Sequence, residues 1–106
     1  MLYCISIQIQ PKFAREFNRA EFLDRVRPLR SPEVDAIEEK GKLFLSFNFF
    51  TEFPSPLWKD LKQNLFEDDD YAPQLAPFCT VICESEDEKQ CLLLHHYDPS
   101  EPLDSL

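Results

Sequence analysis

Three features of the chain predict an α+β fold, a two-layer structure in which two helices cover one face of an antiparallel sheet. Stretches with the two-residue alternation of strands, or dense in apolar residues, occupy 2–10, 34–38, 42–50, 78–84 and 90–97. Two segments, 19–27 and 56–66, carry helical spacing with capping residues at their starts. The single glycine, Gly41, falls between two strand-like runs, where a hairpin would turn. A chain of 106 residues, 43% hydrophobic and 13% aromatic, has the size of one domain and enough apolar area for a core. One compact domain is expected over 1–97, followed by a flexible acidic tail over 98–106 that holds Pro99 and Pro102.

Leu2 to Gln10 sets Tyr3, Ile5, Ile7 and Ile9 on one side and Leu2, Cys4, Ser6, Gln8 and Gln10 on the other, and Pro11 ends the strand. Asn18 is an N-cap with Glu21 three residues on, flanked by Phe17 and Phe22 at the positions of a hydrophobic staple. The helix that follows, from Arg19 toward Arg27, carries Ala20, Leu23 and Val26 as its apolar stripe, assisted by Phe22, and Pro28 closes it. Val34 to Glu38 and Lys42 to Phe50 flank Glu39-Lys40-Gly41, the composition of a short hairpin turn with a bulge.

The second hairpin strand is apolar on both sides, as suits a central strand. Ser55 and Pro56 then read as N-cap and first residue of a second helix, with Leu57, Trp58, Leu61 and Leu65 on one stripe. Glu67 to Asp70 oppose the dipole at that helix's C-terminus and are expected in a solvated loop, which Pro73 and Pro77 extend. Phe78 to Glu84 and Gln90 to Tyr97 complete the sheet around an acidic turn. The first six elements, strand, helix, strand, strand, helix, strand, have the split βαβ order of ferredoxin-like folds (βαββαβ), with an extra C-terminal strand at an edge.

Charge is distributed unevenly. Residues 1–66 hold nine acids and ten bases, a net of +1, whereas residues 67–106 hold eleven acids and the single base Lys89, a net of −10, giving the −9 of the whole chain. A one-sided field of this kind steers encounters with basic surfaces and repels phosphate backbones. Arg15, Arg19, Arg25, Arg27 and Arg30 group around the first helix, so head-to-tail self-association into a homo-oligomer is also permitted. The start of the chain lacks a basic leader, and no run reaches the roughly 18–20 apolar residues of a membrane helix, so a cytoplasmic protein without membrane partners is expected.

One glycine cannot build a phosphate-cradling loop or a dinucleotide fingerprint, which excludes enzymes of those types. Cys79, Cys83, Cys91 and His95 share one face if the last hairpin pairs about Asp87. Residues four apart on a strand are nevertheless separated by roughly 13 Å, too far to close on one tetrahedral ion. No metal or cofactor is expected, and a redox bond between Cys83 and Cys91 depends on that register. His95 and His96 point to opposite faces of a strand and cannot serve one site.

Lys40-Gly41-Lys42-Leu43-Phe44-Leu45-Ser46-Phe47 resembles the third-strand signature of RNA-recognition motifs at Lys40, Gly41, Phe44, Leu45 and Phe47, and Leu2-Tyr3 weakly resembles their first-strand signature. It departs at Lys42, where a stacking aromatic would stand, and at Leu43, where a small residue would; alternation also turns Tyr3 toward the helices. The resemblance implies RNA contact through the sheet face.

The functional expectation is a non-enzymatic protein-interaction module, an inhibitor, adaptor or assembly factor that docks a basic partner surface. Its acidic contacts are Glu67, Asp68, Asp69, Asp70, Glu86, Asp87 and Glu88. Its anchors on the uncovered sheet face are Phe44, Asn48 and Phe50. The alternative is nucleic-acid-related binding, either direct through that face or by carboxylates that mimic phosphates. Acids that merely keep a Phe-rich chain soluble account for the charge equally well.

Overall fold

Alternation over the first residues produces the central strand of the sheet, β1 (Tyr3–Ile9), with Ile5, Ile7 and Ile9 buried. The computed structural model describes residues 1–87 and 90–106, and Glu88 lies outside the described residues. The chain is α+β, with one five-stranded sheet among the described residues, in the order β2 (Glu33–Glu39), β3 (Lys42–Thr51), β1, β4 (Cys79–Ser85), β5 (Cys91–His95), every neighbouring pair antiparallel. Four helices accompany it among the described residues where the sequence predicts two, the additional ones being single turns.

The first of these, α1 (Pro11–Ala14), occupies the stretch expected only to end β1, because a proline suits the first turn of a helix as well as the end of a strand. In α2 (Arg19–Val26), Asn18 Oδ1 accepts the Glu21 N–H at 3.1 Å and the Phe17 and Phe22 rings meet at 5.8 Å, the predicted cap and staple. The predicted stripe is corrected: Phe22 and Val26 are buried, Leu23 is half-buried and Ala20 is exposed. Phe22 and Val26, one turn apart, define the inward direction, and Ala20 lies off it.

β2 (Glu33–Glu39) and β3 (Lys42–Thr51) pair with Glu39 opposite Lys42, so the turn is the two residues Lys40 and Gly41 rather than three with a bulge. Both have positive φ, 52° and 78°, the mirror-image turn whose twist matches that of the strands it joins. α3 (Pro54–Leu61) starts before Ser55, with Phe53 at the cap and Thr51 Oγ1 accepting the Phe53 N–H at 3.0 Å. Both Pro54 and Pro56 are tolerated in a first turn, where N–H groups lack helical partners, so the earlier start costs nothing. The helix continues as a π-helical turn, Lys62–Phe66, which keeps Leu57, Leu61 and Leu65 buried.

Residues 71–77, expected as open loop, and Phe78, expected to start the strand, form α4 (Ala72–Leu75) and a 3₁₀ turn, Ala76–Phe78, with Pro73 and Pro77 in the opening turns of each. Tyr71, 2% exposed, ties this segment to the core. β4 (Cys79–Ser85) and β5 (Cys91–His95) close the sheet. They pair one residue away from the expected register, with Cys91 facing Glu84 and Cys83 facing Leu92, and a further shift between Val81 and Ile82 sets His95 opposite Val81. The expected oppositions of Cys83 with Cys91 and Cys79 with His95 are therefore corrected: the one-residue offset separates the first pair, and the added shift moves His95 further from Cys79. Beyond β5, Asp104 exchanges two hydrogen bonds with the Leu93 backbone, each 2.8 Å.

Alternate residues of β1, β3 and β4 enter one cluster with Phe22, Val26, Leu57, Leu61, Leu65 and Tyr71. The opposite parity, Cys4, Ser6 and Gln8 beside Phe44, Ser46, Asn48 and Phe50, makes the outer face of the sheet. No helix among the described residues is long and apolar enough to cross a membrane.

Candidate functional site

Along β3, the outward parity places Phe44, Asn48 and Phe50 on one face, as the sequence predicts, but in different roles. Asn48 is held from both sides: Ser6 Oγ donates to its Oδ1 at 2.7 Å, and its Nδ2 donates to Asp35 Oδ2 at 2.9 Å. Gln8 Nε2 reaches Ser6 Oγ at 3.4 Å. This polar chain ties β2, β3 and β1 together and satisfies Ser6, which is buried. Asn48 is thus a positioning residue of the face.

Phe44 and Phe50 stand at opposite ends of it, roughly 20 Å apart at the rise of a strand. Phe44 is 45% exposed and directly opposes Ile37, 57% exposed, while Phe50 is 38% exposed beside Cys4. A groove of about 970 Å³ opens around the first pair, lined also by Gln8, Ser46 and Thr80, by Lys12, Arg15 and Lys42, and by Tyr97. Sequence reasoning did not select Ile37, Lys12 or Tyr97. Ile37 had a readable signal: on β2 it shares a face with Glu33, Asp35 and Glu39, an apolar residue among acids.

The acidic residues do not form one cluster. Glu67, Asp69 and Asp70 are exposed, but Asp68 turns inward, accepting the N–H groups of Asp70 and Tyr71 at 2.9 and 3.0 Å and pairing with Arg25 at 3.3 Å. Those two backbone donors, with Arg25 behind them, hold its carboxyl below the usual range. Asp68 is a structural cap. Glu86 and Asp87 lie elsewhere, at the sheet end where the Glu86 N–H donates to Leu2 O at 3.1 Å. β4 begins opposite Ile9 and ends opposite Tyr3, so its length separates that turn from the segment that Asp68 opens.

All four cysteines are free thiols. Burial raises the pKa of each; Cys4, also near Glu84, is pushed up to about 11. Protonated thiols are poor nucleophiles at neutral pH. Among the described residues no group of three His, Cys, Asp or Glu side chains is placed to hold a metal ion.

His95 donates from Nε2 to Ala76 O at 2.8 Å and stacks on Phe66 at 4.5 Å, whereas His96 Nδ1 accepts the Asp98 N–H at 3.0 Å. Burial lowers the His95 pKa below its ordinary 6.5, outweighing the Ala76 hydrogen bond. The unfolded chain therefore takes up that proton first as pH falls, and the stability held above about pH 6.5 declines toward the lower folded value. The urea midpoint is expected to fall between pH 7 and pH 5 by less in His95→Gln than in the native chain. Equal losses in both would remove His95 as a cause.

Compared with family models, with curated proteins and with solved structures, the chain finds no match.

Proposed function

We propose that this chain is a small, non-enzymatic interaction module, an inhibitor, adaptor or assembly factor, that docks a basic partner through the outer face of its sheet. The observation that carries the reading is the exposed pair Phe44 and Ile37 at a groove, separated from Phe50 at the other end of the face by a braced polar chain. Apolar anchors inside a polar surround are where binding free energy concentrates. Glu67, Asp69, Asp70, Glu86 and Asp87 supply long-range attraction to the partner. The strand order and the burial of Ile5, Ile7 and Ile9 support a ferredoxin-like βαββαβ arrangement with β5 added at the edge and the helices on the far face. Free thiols suit a reducing, cytoplasmic setting.

The test is capture of partners by immobilised protein at low and moderate salt. Phe44→Ser is expected to lower capture about tenfold at both salts, the worth of one anchor. Neutralising Glu67, Asp69 and Asp70 to amides should slow association at low salt alone. Capture indifferent to Phe44→Ser would refute the docking face.

A second reading, direct contact with single-stranded RNA, draws on Phe44 beside Lys12, Arg15 and Lys42 at the same groove. Glu16 and Asp35 line it too and oppose phosphate. Titration with a short homopolymeric RNA, read by shifts of the Phe44 ring resonances, separates the two readings.

A further inference from the structure

The two edges of the sheet are finished differently. β5 is met by the chain's own Asp104, which satisfies both backbone groups of Leu93. β2, the other edge, has all seven residues exposed. Its backbone polarity follows from the turn. A two-residue hairpin makes Glu39 and Lys42 a hydrogen-bonded pair, so Ile37, Asp35 and Glu33 also bond inward to β3. The N–H and C=O groups of Val34, Ala36 and Glu38 consequently point away from the sheet.

Such an edge is a template for another strand, and its side chains say which kind. Glu33, Asp35, Glu38 and Glu39 make β2 strongly acidic, with Val34 and Ile37 as its large apolar residues. A second copy of β2 is a poor occupant, because antiparallel self-pairing centred on Ala36 sets Glu33 against Glu39. From this charge and this polarity we infer that the β2 edge accepts an extended, lysine- or arginine-rich strand of a partner protein, alternating with aliphatic residues, by addition to the sheet. The inference rests on the interaction role proposed above and names the partner's chemistry. On the outer face, cations of the added strand meet Glu33, Asp35 and Glu39, with an alkyl stem lying along Ile37, while its aliphatic residues take the opposite parity beside Val34 and Ala36.

The probe is a synthetic peptide of alternating lysine and valine. Expected is saturable binding in which hydrogen exchange slows at the amides of Val34, Ala36 and Glu38. N-methylation of the peptide's own alternate amides should abolish binding, and a glutamate-for-lysine peptide should bind at least about tenfold more weakly. Ala36→Pro removes an outward donor without taking a bond from β3 and should also abolish binding, with the circular dichroism of the fold unchanged. Binding that survives N-methylation, protection elsewhere than β2, equal binding of the acidic peptide, or self-association of the chain in place of binding would each overturn the inference. Peptide binding at β2 beside partner capture indifferent to Phe44→Ser would sink the docking face alone. Failure of the peptide beside Phe44-dependent capture would sink the edge alone.

Discussion

Phe47→Ala is expected to cost about 3–5 kcal/mol, the range for removing a fully buried aromatic ring. Phe47 is fully buried in β3, opposite Ile7 on one neighbour and Val34 on the other. Its ring lies 4.4 Å from that of Phe22 and 6.0 Å from that of Phe17, so it joins the sheet to the N-terminal turn of α2. Truncation opens a cavity between two layers whose backbones are fixed by ladder and helix hydrogen bonds, and so cannot collapse to fill it. Domains of this size hold about 5–15 kcal/mol in all. Equilibrium urea unfolding of the two proteins should show the midpoint falling with the slope unchanged, while Phe47→Leu loses about 1–2 kcal/mol. A loss under about 1 kcal/mol for the alanine variant would mean that the three-ring contact does not join sheet to helix.

What the sequence disclosed depended on whether the signal was local. The β1 alternation, the Asn18 cap with its Phe17 and Phe22 staple, and the Leu57, Leu61, Leu65 stripe are each complete within a few residues, and each is present in the structure. The turn at Gly41 was legible in place but not in length, since Lys40 with φ of 52° adopts a conformation that lysine does not advertise. The short helices α1 and α4 escaped because proline marks both the end of one element and the start of another.

The β4 and β5 register, on which the cysteine argument hung, differs by one residue at Cys83 and by a further shift past Ile82, neither of which spacing reveals. The candidate site was legible to the same degree. Parity alone put Phe44 and Phe50 outside, whereas the bracing of Asn48 by Ser6 and Asp35 needed three strands to be adjacent. Equally, a run of four acids reads as uniform. Only the fold shows that Asp68 faces Arg25 and two backbone amides while its neighbours face water.

That division makes Tyr71→Ala the second large effect, at about 3–5 kcal/mol by the same cavity argument. Tyr71 is 2% exposed, and burial, reinforced by Glu21, pushes its hydroxyl pKa up to about 12, so the ring stays neutral at any working pH. The Arg25 guanidinium carbon lies 4.1 Å from the ring centroid, over its face, and the same guanidinium reaches Asp68. One cation thus binds a buried ring and an acidic turn together, with Asn64 Nδ2 donating to Arg25 O to seat α2 against the π-helical turn. Tyr71→Phe keeps the stacked face and should lie within about 1 kcal/mol of the native chain.

In a double-mutant cycle, Arg25→Ala and Tyr71→Ala should couple by about 0.5–2 kcal/mol, since loss of either partner leaves the other without its contact. Additivity within error would assign Tyr71 to packing alone. Because the Asp68 pKa is depressed in the folded chain, stability present above the ordinary carboxylate range is lost as pH falls through the folded value. Without Arg25 the folded value moves up toward the unfolded one, so that acid loss should be smaller and complete at higher pH, while Glu67, Asp69 and Asp70 remain exposed and able to steer a partner. Arg25→Ala should therefore weaken the fold far more than it changes the salt dependence of binding, separating the carboxylate that holds this turn from those that face outward.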